Sequence, residues 1–197
     1  MYPTESQDGP VPLLDDAAIA EVLRAARRIA VVGASSNPAR PSNGVFRTLV
    51  AAGYDCVPVN PNEAMVEGVA AVATLAEAAE ALGGPIDIVD VFRRSELTEE
   101  IAREAVAVGA RVLWLQLGIV NEAAARIAAE GGLAIVMDRC TAIEIRRVAR
   151  RRVRPCNPGR DPARRAPPSS GTRRPVETHD AVPEDGVVRA AWGCSGS

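Results

Sequence analysis

Short, mostly apolar runs alternate with amphipathic segments along most of the chain. The runs cover residues 29–33, 55–59, 87–91, 111–115 and 133–137. Apolar residues follow one another within these runs, as they do in strands that are buried on both faces of a parallel sheet. We therefore predict a buried strand at each of the five positions, and a further brief strand around residues 69–72.

The segments between these runs carry apolar residues at helical spacing, and most of them end at a glycine. They predict helices over residues 13–28, 45–52, 75–82, 96–108 and 121–130, and a last helix that begins near Thr141. Strands that alternate with helices of about this length are joined by parallel crossovers. The predicted fold class is therefore α/β, a doubly wound parallel sheet with helices on both faces.

The alternating pattern ends near residue 148. We predict one domain over residues 13–148, followed by a segment, 149–197, that is rich in Arg, Pro, Gly and Ser. Such a segment buries too little apolar surface to offset an ordering cost of roughly 1–2 kcal/mol per residue. We therefore predict a disordered C-terminal tail. Its abrupt start and biased composition also fit a GC-rich gene segment that is translated in a shifted reading frame.

Composition and charge narrow the possible functions. The 197 residues are 47% hydrophobic and 24% charged, which is typical of a globular protein. No apolar run reaches the 18 or so residues of a membrane span, and the spacing of the four cysteines fits neither a zinc site nor a disulfide framework. We expect a cytoplasmic protein that does not contact membranes.

The net charge of −2 conceals two oppositely charged parts. Residues 1–145 hold 11 Arg and 20 acidic side chains, a net charge of −9, whereas residues 146–197 hold 12 Arg and 5 acidic side chains, a net charge of +7. The basic part lies almost entirely in the predicted tail. We therefore expect no nucleic-acid binding by the domain, while the tail arginines could contact phosphates without sequence specificity.

The loop after the first predicted strand carries the groups of an anion-binding site. It contains Gly33, the hydroxyls of Ser35 and Ser42, and the guanidinium of Arg40, and it leads into a helix. In open parallel sheets, ligands lie beyond the carboxyl ends of the strands. Helix N-termini and arginine side chains both bind phosphate groups well. We expect a phosphate-bearing ligand here, the alternative for Arg40 being a solvated loop side chain.

The same loop lacks the fingerprint of NAD-binding sheets. Ala34 and Ser35 stand in place of the second glycine of the G-x-G-x-x-G pattern. NAD sites also use an acidic residue after the second strand to bind the ribose hydroxyls. The second strand here is followed by Asn60 and Pro61. NAD is therefore disfavoured, and an NAD(P)-type nucleotide-binding regulator remains an alternative.

Five segments carry a family resemblance, in a fixed order along the predicted domain. They are residues 29–42, 58–61, 87–93, 114–118 and 137–140. Together they closely resemble the small stand-alone CoA-binding proteins, which are similar to the CoA-binding domain of the succinyl-CoA synthetase α subunit. The resemblance implies a Rossmann-like domain that binds coenzyme A across the carboxyl ends of the strands. Synthetase chemistry is not implied, because the domain with the phosphorylated histidine is missing and the chain's one histidine is His179.

The resemblance also implies which residues bind the cofactor, at four strand ends. They are Gly33, Ala34, Ser35, Arg40 and Ser42; Asn60 and Pro61; Val91, Phe92 and Arg93; and Gln116 and Gly118. The first group would bind the nucleotide phosphates, the second would lie beside the adenosine, the third would border the ligand and the fourth would face the pantetheine. For Arg93 and the adjacent Arg94, a salt bridge with Glu96 or Glu99 is an alternative to contact with the ligand. Gln116 would alternatively bond to a backbone group.

Some positions depart from the family pattern or have several interpretations. Asn43 stands where the family has an aromatic residue or a histidine, and Ile145 stands where it tends to have a histidine. We expect Asp138 and Arg139 to form an internal ion pair. Cys140, just after the last strand, could lie near the thiol of coenzyme A and form a mixed disulfide with it.

The predicted domain contains no histidine and no recognisable catalytic set. We therefore expect a module that binds coenzyme A or an acyl-CoA without catalytic activity of its own. The alternative is a subunit of an acyl-CoA-processing or ligase enzyme whose catalytic groups lie on another chain. A protein partner or a homo-oligomer is compatible with either function.

Overall fold

A five-stranded parallel sheet forms the centre of the fold in a computed structural model that describes residues 10–152. The strands are β1 (Arg28–Val32), β2 (Asp55–Val59), the short antiparallel pair β3 (Met65–Val66) and β4 (Val69–Ala70), β5 (Ile88–Val91), β6 (Val112–Leu115) and β7 (Ala134–Val136). All five predicted strands of the sheet are present, and their bounds differ from the prediction by one residue at most. Part of the predicted brief strand is β4, and Val72 forms an isolated bridge with Val59.

Residues 10–152 form six α-helices, of which the first precedes β1, the last follows β7 and the others connect strands. They are α1 (Asp16–Ala25), α2 (Pro41–Ala51), α3 (Leu75–Ala81), α4 (Thr98–Ala107), α5 (Glu122–Glu130) and α6 (Thr141–Arg152), with a 3-10 turn (Ser95–Leu97) before α4. The prediction placed the start of α2 four residues too late, at Val45. Its first turn contains Pro41 and Gly44, which are typical of loops, but proline is favoured in the first turn of a helix. The earlier start places the N-terminus of α2 directly after Arg40.

The strand order is β2-β1-β5-β6-β7, with every neighbouring pair parallel. From β1 the chain first moves outward to β2 and then crosses back to β5 on the other side of β1. The direction of winding therefore reverses between β1 and β5. Reversal of the strand order opens a crevice at the carboxyl ends of the two strands, where Val32 pairs with Val91.

Alternate residues of the strands pack against two layers of helices. On one face, Val31 and Trp114 pack in a core with residues of α1, α2 and α6. On the other face, Ala30 and Leu113 pack in a core with residues of α3, α4 and α5. Trp114 is fully buried, as expected for a core residue, and its Nε1 donates a hydrogen bond to the carbonyl of Arg139. The predicted doubly wound α/β fold with helices on both faces is confirmed.

The predicted tail, residues 149–197, lies outside the described residues except for the last turn of α6. His179 and the tail arginines beyond residue 152 lie there too. The helices between residues 10 and 152 include none with the length and apolar character that a membrane crossing requires.

Candidate functional site

A cleft of about 730 Å³ opens at the carboxyl ends of β1, β5 and β6. Eight of the residues predicted to bind the cofactor line it. They are Gly33, Ser35, Arg40, Ser42, Asn60, Phe92, Arg93 and Gln116. The reversal point of the sheet thus brings together side chains from four separate segments of the sequence.

The other four predicted residues do not line this cleft. Ala34 and Val91 are fully buried in the two cores, so their side chains support the loop and the sheet. Pro61 lines a separate, smaller depression of about 320 Å³, together with residues of α4. Gly118 is exposed, and its N–H donates a hydrogen bond of 2.7 Å to Asp138 Oδ1.

Gly33 allows the loop after β1 to pass against the end of β5. Its φ of +81° is a conformation that residues with a side chain rarely adopt. A Cβ atom at this position would lie 2.6 Å from the carbonyl oxygen of Phe92, well inside van der Waals contact. The glycine therefore lets the two loops that flank the reversal point approach each other.

Three guanidinium groups line the cleft, those of Arg40, Arg93 and Arg94. Within residues 10–152, the ion pairs use other arginines, and none of these three has a carboxylate within 4.0 Å. The predicted alternative of a salt bridge from Arg93 or Arg94 to Glu96 or Glu99 is therefore wrong, and Glu99 pairs with Arg103. The cleft holds cationic groups that the described part of the protein does not neutralise.

Glu63 also lines the cleft, and the sequence analysis missed it. Its Oε1 accepts hydrogen bonds from Ser35 Oγ at 2.9 Å and from the N–H of Ser36 at 3.0 Å. These hydrogen bonds, first of all those from Ser36, lower the pKa of the Glu63 carboxyl below its ordinary value. An anionic side chain is therefore fixed to the loop after β1.

Asn60 explains how Glu63 reaches this place. The Asn60 side chain donates a hydrogen bond of 2.8 Å to the carbonyl of Ala34, which joins the β2 end to the β1 loop. Its Oδ1 accepts from the N–H of Asn62 at 3.1 Å, which turns the chain back toward that loop. The Asx turn was the signal in the sequence that could have identified Glu63, because it returns the residue three positions after Asn60 to the loop.

A buried polar network lies under the cleft. Gln116 Nε2 donates to Asp90 Oδ1 and to Thr141 Oγ1, both at 2.7 Å, and Thr141 Oγ1 donates to Asp90 Oδ2 at 3.0 Å. Both amide hydrogens of Gln116 are therefore in use, which leaves its Oε1 as the atom it can offer a ligand. The alternative that Gln116 bonds to a backbone group is replaced by this side-chain network.

Asp90 is the fully buried member of the network. Burial raises the pKa of its carboxyl to about 7, and the hydrogen bonds from Gln116 and Thr141 partly oppose that rise. The sequence contained a signal for this residue, since it is an acidic side chain in the middle of an apolar strand. The network holds Gln116 in one orientation.

The end of the cleft near β6 and α6 is apolar. Leu117, Ile119, Cys140 and Ile143 line it, and Leu117 and Ile143 are 64% and 43% exposed. Cys140 is a free thiol at this end. That it lies near the thiol of a bound coenzyme A remains a prediction. Cys56 is buried in β2, and burial raises the pKa of its thiol to about 12, which leaves it unreactive.

The predicted ion pair between Asp138 and Arg139 is wrong. Arg139 instead pairs with Asp16 of α1 at 2.7 Å and with Glu144 of α6 at 3.1 Å. These two partners raise the pKa of the Arg139 guanidinium above its ordinary value. Asp138 lies in the left-handed region with a φ of +57°, where its side chain turns to the N–H of Gly118.

Asn43, which departs from the family pattern, supports the loop after β1 from below. It is buried, and its Nδ2 donates to the carbonyl of Ser35 at 3.0 Å and to Glu67 Oε1 at 2.8 Å. The residue therefore positions Ser35 from the first turn of α2. Its own side chain does not line the cleft.

A family model and several known proteins match most of the described part of the chain. A family model described as a CoA binding domain matches residues 27–146. The uncharacterized protein YneT of Bacillus subtilis is 45% identical over 124 residues, which are 63% of this chain and 89% of that protein.

Solved structures show the same similarity. The PH1109 protein redesigned for binding is 36% identical, with a TM-score of 0.66 over 71% of this chain and 96% of that chain. A hypothetical protein from Pyrococcus horikoshii is 36% identical, with a TM-score of 0.65 over 76% of this chain and 99% of that chain. A protein from Thermus thermophilus is 35% identical, with a TM-score of 0.63 over 68% of this chain and 99% of that chain.

Proposed function

The chain belongs to the CoA-binding domain family, and from this premise we propose that it binds coenzyme A in the cleft at the carboxyl ends of β1, β5 and β6. The observation that carries the proposal is the set of three guanidinium groups, those of Arg40, Arg93 and Arg94, which line the cleft without an ion-pair partner among the described residues. Coenzyme A is a polyanion. Each charge-assisted hydrogen bond from these arginines to a phosphate would contribute about 1.5–3 kcal/mol.

The pyrophosphate of the ligand would lie at the reversal point of the sheet. Gly33 provides the close approach of the backbone there, and Ser35 and Ser42 provide hydroxyls at the entrance to α2. The N-terminal turn of α2 directly follows Arg40, so the helix dipole adds to the attraction for an anion. Ala34 and Val91 would shape this part of the site from within the core.

The two ends of the ligand would extend in opposite directions along the sheet edge. The adenosine would lie toward β2, where Asn60 lines the cleft and Pro61 follows it in the chain. The pantetheine would lie toward β6 and α6, where Gln116 Oε1 is an acceptor for an amide N–H and Leu117 and Ile143 contact methylene groups. Phe92 and Arg93 would border the middle of the ligand, and Gly118 would shape the loop after β6.

We propose binding without turnover by this chain. The titratable side chains that line the cleft are arginines, one thiol and Glu63, whose pKa is lowered. The group with a pKa near neutrality is Asp90, but it is fully buried and both of its oxygens accept hydrogen bonds within the network. A general acid or base must reach the proton that it transfers, and Asp90 does not.

Thermal unfolding of the full chain with and without ligand tests the proposal. At 100 times its Kd, coenzyme A should stabilise the protein by about 2.7 kcal/mol, which raises the Tm by roughly 5–10 °C for a domain of this size. Arg40→Ala should require at least about tenfold more coenzyme A for the same shift, because a charge-assisted hydrogen bond is lost.

Arg103→Ala is the matched control, since Arg103 is an exposed arginine on α4 outside the cleft. It should respond to coenzyme A as the wild type does. A Tm that does not change at millimolar coenzyme A but rises with NAD would contradict the proposal. Turnover of an acyl-CoA by the purified chain would contradict the part that concerns catalysis.

A further inference from the structure

The side of the cleft that faces β2 carries a negative charge. Glu63 is the acidic residue that lines the cleft, and it follows the end of β2 by four residues. Its carboxylate is held by two donors of the β1 loop, Ser35 Oγ and the N–H of Ser36. Since both partners belong to the loop at the reversal point, the position of this carboxylate is fixed by the fold.

The cations of the cleft come from other strand ends. Arg40 follows β1, and Arg93 and Arg94 follow β5, while the residues after β2 that line the cleft are Asn60, Asn62 and Glu63. Among the described residues, no arginine nitrogen lies within 4.0 Å of the Glu63 carboxylate. The β2 side of the cleft is therefore anionic, and the β1 and β5 sides are cationic.

In nucleotide-binding parallel sheets, the adenosine ribose lies at the end of the second strand, which is the side of the cleft that Asn60 and Glu63 line here. An acidic side chain there accepts hydrogen bonds from ribose hydroxyls, whereas an arginine accommodates a phosphate on the ribose. The Glu63 carboxyl is ionised at neutral pH, and hydrogen bonds from Ser36 and Ser35 lower its pKa further, so it is an acceptor and repels a phosphate. Coenzyme A carries a phosphate on the 3′ position of this ribose.

We propose that Glu63 makes the cleft selective for a ligand whose adenosine ribose is not phosphorylated, so that 3′-dephospho-coenzyme A binds more tightly than coenzyme A. The inference rests on the proposed function, because both ligands share the pyrophosphate and the pantetheine. The two ligands differ only at the 3′ position of the ribose. There a hydroxyl can donate a hydrogen bond to the Glu63 carboxylate, whereas a phosphate is repelled by it.

Isothermal titration of the full chain with each ligand at low ionic strength tests this selectivity. The wild type should bind 3′-dephospho-coenzyme A about fivefold more tightly than coenzyme A, because like charges close together repel each other even in water. Glu63→Gln keeps an oxygen that accepts from Ser35 and Ser36 but removes the charge. It should gain about fivefold in affinity for coenzyme A and erase the preference.

Glu80→Gln is the matched control, because Glu80 is an exposed residue of α3 that does not line the cleft. It should retain the wild-type ratio of the two Kd values. The inference is overturned if the wild type binds coenzyme A as tightly as the dephosphorylated ligand, or if Glu63→Gln strengthens both ligands equally. If neither ligand binds to the wild type, the proposed function fails as well.

Discussion

At the scale of single residues, Gly33 decides whether the two loops at the reversal point can approach each other. Its positive φ and the 2.6 Å that would separate an added Cβ from the Phe92 carbonyl oxygen both exclude a side chain. The obstacle is backbone, which cannot move without moving the end of β5. The same close approach brings the Arg93 side chain next to the β1 loop.

Replacement of this glycine should therefore destabilise the protein. Gly33→Ala should lower the free energy of unfolding by about 1–3 kcal/mol, as expected for a residue that is forced into an unfavourable backbone conformation. Urea unfolding followed by circular dichroism measures the change.

Gly44 provides the opposite control. It lies in the first part of α2, and an added Cβ would meet no atom within 4 Å. Gly44→Ala should stabilise the protein by about 0.5–1 kcal/mol, because alanine has the higher helix propensity. Equal effects of the two substitutions would contradict the role given to Gly33.

Gly33 and Glu63 also show how far the sequence predicts the site. The glycine was predicted because it ends an apolar run and opens a loop, which is a local pattern. Glu63 was missed because its place in the cleft depends on the turn at Asn60 and on hydrogen bonds to Ser35 and Ser36, which lie more than 20 residues earlier. Contacts between distant segments are not visible in local periodicity.

At the scale of secondary-structure elements, Asp90, Gln116 and Thr141 connect three of them under the cleft. Asp90 belongs to β5, Gln116 directly follows β6, and Thr141 begins α6. The three side chains form hydrogen bonds of 2.7 to 3.0 Å with one another. Asp90 is fully buried among them. The network therefore fixes α6 against the sheet and orients the side chain that faces the ligand.

The raised pKa of Asp90 predicts how stability depends on pH. The carboxyl has a pKa of about 7 in the folded protein and of about 4 in the unfolded chain. Between these values the folded state holds a proton that the unfolded chain has lost. The free energy of unfolding should therefore fall as the pH rises from about 4 to 7, by up to roughly 1.4 kcal/mol per pH unit from this group.

Urea unfolding at pH 5, 6, 7 and 8 measures this slope, with Asp90→Asn as the comparison. Asparagine does not titrate, so the stability difference between wild type and Asp90→Asn should change steadily between pH 5 and 7 and then become constant. Glu80→Gln, which removes an exposed carboxyl, should leave the wild-type slope unchanged. Parallel pH profiles of wild type and Asp90→Asn would contradict the assignment of the slope to Asp90.

The order of the elements could be predicted from the sequence, whereas some helix boundaries could not. The first helix was predicted over residues 13–28 but spans Asp16–Ala25, and α2 was predicted to begin at Val45 but begins at Pro41. Apolar runs fix the strands because burial on both faces requires continuous apolar sequence. The start of α2 was misplaced because Pro41 and Gly44 are typical of loops, and only the packing of Val45 and Phe46 in the core shows that the helix already includes them. That boundary matters for function, since it brings the α2 N-terminus to the cleft.

At the scale of the whole molecule, the net negative charge of residues 1–145 would repel an anionic ligand, whereas the arginines of the cleft would attract it. Residues 1–145 carry a net charge of −9, yet three arginines without described ion-pair partners line one cleft at the reversal point. An acidic protein that binds a polyanion must do so through such a local concentration of cations. The position of the cleft follows from the strand order β2-β1-β5-β6-β7, which no single segment of the sequence contains.

A crystal structure of the full chain with coenzyme A or its 3′-dephosphorylated form tests the central claim most directly. The account predicts the ligand across the carboxyl ends of β1, β5 and β6, with its pyrophosphate within hydrogen-bond distance of the Arg40 guanidinium. The adenosine should lie toward Asn60 and the thiol toward Cys140. A ligand bound elsewhere on the protein, or in this cleft with its phosphates away from Arg40 and Arg93, would contradict the account.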